Sequence, residues 1–453
     1  MIFTHCAPDN GLGLHYLSVN VAPRLLAQVC RKWRHVVLST PTLWAKIHVN
    51  LHLPPAEGEL VRYLERAGGV PLNVVVRGRV YAHVDDEGDE DPNAPPRPLP
   101  KALSEHVRLL ARYCGRIRRL RLDVSEEIAA AMDVELCRSE FTTLETLELS
   151  GMAVDALEKP LQMFAASPRL TRAIGFSIAA ATVTLPWEQL EHYSGSVGTS
   201  PVSCNRLLES MPNLRRLGLY CMRPELESGD EVEHDLEVPS QRFIHPNIET
   251  LTTDAAAGVL NFLTFPALHT MEFIRWDPST IGDLANFLRR STMLSNLQIH
   301  MSRDDATVAD FLIIFKSTPA LQVLELQGPD EESFGSFCSA VSHSVLPCLN
   351  TLSATCLRNT STWFFTDMMG SFVSALRKRQ TLGLQPAQMR SLVMDVRCMR
   401  GYFFHRQSAL QVKAECMRLP DEDFTFLRQL KQQGVAIDIW LEKWGKKWTP
   451  LGL

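Results

Sequence analysis

Arg119, Arg121, Arg216, Tyr220, Glu272, Trp276, Gln298, His300 and Glu325 are the side chains whose types and spacing best suit chemistry, and that chemistry is noncovalent recognition. Arg and aromatic residues carry most of the energy of protein interfaces, which puts Arg216, Tyr220 and Trp276 first. No comparable set suits covalent catalysis. Gly11-Leu12-Gly13 lacks the third glycine and the preceding strand of a dinucleotide loop, and no Walker loop, His-Glu-x-x-His or Gly-x-Ser-x-Gly occurs. The acid pairs Asp85-Asp86 and Asp304-Asp305 fall in turn or loop contexts and read as solvated. The 14 histidines and 11 cysteines are scattered without metal-ligand spacing or a Cys-x-x-Cys pair. A protein with reduced thiols, no cofactor, no metal and no enzymatic activity is expected. A triad assembled across the sequence leaves no such signature, and a deep pocket of convergent titratable groups is what would reveal one.

The recognition residues sit at fixed places in a repeat. An apolar residue, two variable residues, an apolar residue, one variable and another apolar recur as IRRLRL from Ile117, LETLEL from Leu144, LRRLGL from Leu214, IETLTT from Ile248, LHTMEF from Leu268, LSNLQI from Leu294, LQVLEL from Leu321 and LNTLSA from Leu349. Weaker copies begin at Leu170 and Leu190. Copies start about 26 residues apart, which is the leucine-rich-repeat period. Prolines at 168, 212, 246, 266, 319 and 347 stand two residues before a start and predict a turn into each strand. Helical stripes lie between: Leu103, Val107, Leu110, Ala111 and Cys114; Ile281, Leu284, Phe287 and Leu288; Val308, Phe311, Leu312 and Phe315; Phe334, Phe337, Cys338, Val341 and Val345. Strand alternating with helix predicts an α/β leucine-rich-repeat solenoid, with a parallel sheet inside and helices outside. The second, fourth and sixth residues after each start then face the concave side. They are cationic in the early strands and mixed polar in the later ones. Where the repeat consensus places Asn or Cys, this chain has Ser125, Met152, Met222, Trp276, Ser302, Pro329 and Leu357, so the repeats are irregular.

Towards the amino terminus, Leu25, Leu26, Val29, Cys30, Trp33, Val36 and Val37 form one apolar helical stripe from Ala22. Pro23 suits its first turn, and Pro41 ends it near Leu38 or Ser39. Leu43 and Trp44 are expected to fold back on it. The run VCRKWRHVVLSTPTLWAKI, Val29 to Ile47, resembles the second half of an F-box of the fungal type, which reads V-C-R-x-W-R-x-x-A-x-x-T-P-x-L-W. Ile2, Phe3 and Cys6 match the end of that family's first helix, while Met1 stands where its Glu belongs, so the Leu-Pro start is missing. The resemblance implies docking on a Skp-family adaptor of a cullin ubiquitin ligase through Ile2, Phe3, Leu25, Leu26, Val29, Trp33, Leu43 and Trp44, with an unidentified protein substrate held on the repeats for degradation. The alternative it leaves open is a leucine-rich-repeat scaffold that has lost adaptor binding through truncation of the F-box.

The organisation expected is a partial F-box over 1–50, an atypical capping repeat over 51–116, irregular repeats over 117–400 and a carboxy-terminal cap over 401–453. The capping repeat has a helix through Leu60, Tyr63 and Leu64, a stop at Gly68-Gly69 and a strand from Leu72 to Val76. Its stretch 84–100, a charge run with five prolines, predicts a surface loop. The tail, with Trp444, Lys446, Lys447 and Trp448, reads as part of the cap. A net charge of −5 with 45% hydrophobic residues suggests neither nucleic acid nor membrane as partner. The amino terminus has no basic segment followed by an apolar one, so cytosol or nucleus is expected. Asn359-Thr360-Ser361 then carries no meaning as a glycosylation triplet.

Overall fold

The computed structural model describes residues 23–53, 57–78, 103–137, 140–152, 157, 159–175, 178, 181–196, 201–220, 241–254, 257–275, 278–301, 306–356, 362–382, 389–398, 421–443 and 446–448. The chain divides into two compact units, Met1–Val197 with Leu207–Leu214, and Gly198–Arg206 with Arg215–Leu453.

The first unit opens with α1 (Arg24–Val29), α2 (Arg31–Leu38) and a 3-10 turn, Pro41–Leu43. The sequence predicts one helix here, and the structure has two. Cys30 is fully extended (φ −159°, ψ 171°), and its sulfur accepts from the Trp33 N–H, so it caps α2 instead of continuing α1. After Leu38 the hydroxyls of Ser39 and Thr40 donate back to carbonyls of α2, and Pro41 starts the turn. Then come β1 (Lys46–Asn50), α3 (Glu57–Arg66), β2 (Leu72–Arg77), α4 (Leu103–Tyr113), β3 (Ile117–Asp123), α5 (Glu126–Leu136), β4 (Thr146–Ser150), β5 (Arg172–Ile174) and β6 (His192–Ser196). Successive strands β1 to β6 pair in parallel. Gly68 stops α3 at φ +53°, a conformation that glycine adopts without Cβ strain. Gly175 lies after β5 at φ +140°, and a Cβ there would sit 1.8 Å from the Leu149 carbonyl oxygen. Close approach of two backbones fixes that residue as glycine.

Helix α6 (Pro201–Glu209) has residues of both units; in the second unit come β7 (Arg216–Tyr220), the short pair β8 (Phe243–Ile244) and β10 (Leu263–Thr264), which makes its own two-stranded sheet, and β9 (Thr250–Thr253), which pairs with β7. The ladder continues through β11 (Thr270–Phe273), β12 (Asn296–His300), β13 (Val323–Gln327), β14 (Thr351–Cys356), β15 (Ser391–Cys398) and β16 (Ala436–Lys443), all parallel, and ends on the antiparallel β17 (Lys446–Trp448). The helices are α7 (Ala257–Leu260), α8 (Ile281–Arg290), α9 (Val308–Lys316), α10 (Glu331–Val341), α11 (Thr362–Thr381) and α12 (Asp421–Gln432).

Each predicted repeat start from Leu144 onward precedes a strand by two residues, the weak copies at Leu170 and Leu190 included, while Ile117 itself begins β3. The N–H groups of Leu170, Leu214, Leu268 and Leu321 donate to the carbonyl three residues back at 3.1–3.2 Å, with proline next to that carbonyl. That is a turn whose φ proline presets. Strand burial alternates; in β12, Leu297 and Ile299 are buried while Asn296, Gln298 and His300 are half-buried. One face of each unit's sheet is therefore packed under helices and the other is open. Helix α8 turns Ile281, Leu284, Phe287 and Leu288 inward as predicted. In α4 the buried residues are Leu103, His106, Val107 and Leu109, so His106 and Leu109 take the places predicted for Leu110 and Ala111. Capping is explicit in α9, where Thr307 and Asp310 bond reciprocally, and in α10, where Asp330 accepts from the Ser333 N–H.

Between repeats, a half-buried and a buried arginine satisfy carbonyls at and just beyond helix ends. Arg290 donates to the carbonyls of Leu260, Asn261 and Leu263. Arg379, 5% exposed, donates to those of Val341 at 3.0 Å and Leu346 at 2.7 Å. The last turns of α7 and α10 are thereby joined to the helix that follows each.

Candidate functional site

The described recognition residues fall into two sets. Alternation along the strands puts Arg119 and Arg121 on the open face of the first unit, and Arg216, Tyr220, Glu272, Gln298, His300 and Glu325 on that of the second. Trp276 lies outside the described residues, as do Ile2 and Phe3.

On the second unit's open face, register places Thr252, Glu272, Gln298 and Glu325 side by side across β9, β11, β12 and β13. Glu272 accepts from the Thr252 hydroxyl at 3.1 Å, and its other oxygen lies 2.9 Å from His300 Nε2. Gln298 Nε2 is 3.0 Å from the same imidazole nitrogen. One nitrogen cannot donate to the carboxylate and accept from the amide together. One N–H shared between the Glu272 carboxylate and a Gln298 amide turned to present its oxygen accounts for both contacts. An imidazole held by a carboxylate is two parts of a catalytic triad, but the partners of His300 are Glu272 and Gln298, neither of them a nucleophile. On β13, Gln327 donates to Glu325 at 2.8 Å. Arg216 is exposed on β7, with Tyr220 half-buried on the same strand. Sequence periodicity identifies these positions. The Thr252–Glu272–His300 chain needs cross-strand register and was not legible there.

On the first unit's open face three rows run across the strands. The first is Lys46, Asn73, Arg119, Thr146, Arg172 and His192; the second His48, Val75, Arg121, Glu148, Ile174 and Ser194; the third Asn50, Arg77, Asp123 and Ser150. Five Lys or Arg stand against two carboxylates. Arg121 pairs with Glu148 at 3.7 Å, while Arg119 and Arg172 have no ion-pair partner among the described residues. His48 is held below its ordinary pKa of 6.5 by burial, then by the positive charges of Arg77, Lys46 and Arg121. Below about pH 6.5 the unfolded chain therefore binds a proton that the folded one resists, so His48's contribution is complete above that pH and is lost as pH falls towards the folded pKa. Urea unfolding of the first unit is expected to show a smaller acid-side loss in His48→Gln. Equal losses in both proteins between about pH 7.5 and 5.5 would exclude His48 as a cause.

The amino-terminal set divides by burial. Trp44 is 1% exposed and its indole N–H donates to the Val37 carbonyl at 2.9 Å. Its ring meets Tyr63 edge-on at 4.7 Å, with the Arg66 guanidinium 4.5 Å from its centre. Arg24 lies over Tyr63 and pairs with Glu59. Leu26 and Leu43 are likewise buried. These three are packing residues, Trp44 joining α2 to the first repeat, and belong to the core part of the set expected to form the F-box core or its adaptor face. Leu25 (48% exposed), Val29 (59%) and Trp33 (37%) do reach the surface, with Leu38 beside them at 42%.

A pocket under α3 and α4 is lined by Ile47, Leu60, Leu72, Leu109, Tyr113 and Ile117 among others, with no carboxylate, imidazole or thiol. Among the described residues no helix is long and apolar enough to cross a membrane, and no His, Cys, Asp or Glu cluster could hold a metal ion.

No family model and no curated protein matches the chain. Among solved structures, that titled "Crystal structure of TLR13-ssRNA13 complex" is similar at 10% identity with a TM-score of 0.28, covering 88% of this chain and 56% of that one. This chain thus spans about half the length of that structure's chain. Strand order and register, not that likeness, carry the fold assignment.

Proposed function

We propose that this chain is a substrate-recognition subunit of a Skp-cullin-F-box type ubiquitin ligase. In this reading α1 and α2 dock on a Skp-family adaptor, and the open faces of the leucine-rich repeats hold a protein substrate for other subunits to modify, in cytosol or nucleus. The chain itself does no covalent chemistry. The observation that carries it is the exposure of Leu25, Val29 and Trp33 within a segment that resembles the F-box, where burial would be the ordinary fate of such side chains. Exposed apolar groups set on a helix pair anchored by Trp44 suit a protein partner.

The test is calorimetric titration of the full chain with a purified Skp-family adaptor. Binding is expected, with a loss of about tenfold or more for Trp33→Ala and for Val29→Asp. No binding by the unaltered chain would reject the adaptor half and leave the repeat-scaffold reading.

A further inference from the structure

The cationic rows of the first unit have a spacing as well as a sign. Lys46, Arg119 and Arg172 occupy the same register row on β1, β3 and β5, separated by the neutral Asn73 and Thr146 on β2 and β4. Neighbouring strands lie about 4.8 Å apart, so these cations recur about every 9.6 Å across the sheet. An extended polypeptide in the polyproline II conformation rises about 3.1 Å per residue with three residues per turn, so every third side chain falls on one face at a spacing of about 9.3 Å. Arg121 and Arg77 in the rows alongside extend the positive field.

We propose that the open face of β1 to β5 binds an extended Asp/Glu-rich polypeptide lying across the strands, with a carboxylate at every third residue above Lys46, Arg119 and Arg172. The proposal gives a substrate class to the recognition half of the function above and rests on it for biological meaning. Its test is direct binding, which needs no adaptor.

Three observations select this occupant. A phosphate dianion is held by two or more donors converging on one point, whereas here single cations alternate with neutral residues and match single-charge carboxylates. Single-stranded nucleic acid is held chiefly by stacking on large aromatic side chains, and the three rows contain no Trp, Tyr or Phe. The second unit's open face carries Glu272, Glu325 and Asp438 with Arg216 as the exposed cation on β7, so it offers no comparable row of cations.

The experiment is fluorescence anisotropy of the full chain with a labelled twelve-residue peptide carrying glutamate at every third position. Controls are a peptide of identical composition with its glutamates clustered, a glutamine version, a phosphoserine peptide and a single-stranded RNA of similar length. The spaced peptide is expected to bind several-fold tighter than the clustered one, with affinity falling as salt rises. Arg119→Glu is expected to weaken it about threefold to tenfold. Lys316→Glu, exposed at the end of α9 in the second unit and away from the open faces, is expected to leave it unchanged. Arg119 is itself exposed, so its replacement does not threaten folding. Spaced and glutamine peptides binding alike, or indifference to Arg119→Glu, would overturn the proposal. Tighter, Arg119-dependent binding of the phosphopeptide or the RNA would overturn it in favour of that ligand.

Discussion

Phe337→Ala is expected to lower the stability of the second unit by about 3–5 kcal/mol. The ring is fully buried and lies 5.6 Å from Phe311 edge-on, 6.2 Å from Phe315 and 6.2 Å from Phe334, which in turn lies 6.3 Å from Phe372. It therefore touches its own helix α10, the preceding α9 and, through Phe334, the following α11. Removing it opens a cavity in a spine shared by three repeats, and edge-to-face pairs add about 0.5–1.5 kcal/mol beyond buried area. Because each repeat holds its neighbours, the loss should spread along the ladder. Urea midpoints, together with amide exchange in β12 to β14, measure it. A loss under about 1.5 kcal/mol, or exchange quickened in α10 alone, would mean the repeats are energetically separate. Leu382→Ala, at a site 56% exposed, sets the baseline at within about 0.5 kcal/mol.

The second large effect is Trp44→Ala, with an expected loss of about 3–5 kcal/mol in the first unit. The indole fills the space between α2 and α3, so its removal forfeits the Tyr63 edge contact, the Arg66 cation–π contact and one of the donors to the Val37 carbonyl. Trp44→Phe should fall between, since it keeps most of the apolar volume and loses the N–H. Trp33→Ala is expected to cost less than about 1 kcal/mol in the same unfolding titration. The two tryptophans of one sequence motif thus separate into anchor and surface. Equal losses from both would refute that division, and with it the case for α1 and α2 as a presented docking face.

Much of the architecture is legible in the sequence because a repeat with one buried face writes itself as alternation. The L-x-x-L-x-L copies give the strands, even where Leu170 and Leu190 offer weak ones, and the preceding proline gives the turn. What is not legible depends on contacts distant in sequence. Nothing around Cys30 signals a helix break, since it is neither proline nor glycine and the apolar stripe runs through it. Leu26 and Leu25 are adjacent in sequence and opposite in fate, and only packing against the first repeat decides which is buried. The same holds for α4, where His106 turns inward. At the candidate surfaces, strand alternation identifies the open-face positions Arg119 and Glu272. That Arg119 shares a row with Lys46 and Arg172, or that Glu272 meets His300, is fixed by the pairing register.

The antiparallel strand Lys446–Trp448 has a consequence for life at high concentration. A stack of parallel strands ends in an edge that invites another strand of the same sense, and head-to-tail addition of identical copies has no closing step, so it grows filaments. Here the last three residues of the last parallel strand, Leu441–Lys443 of β16, are covered by three residues running the opposite way, two of them lysines. Along those three residues a second copy would meet an edge that is already paired.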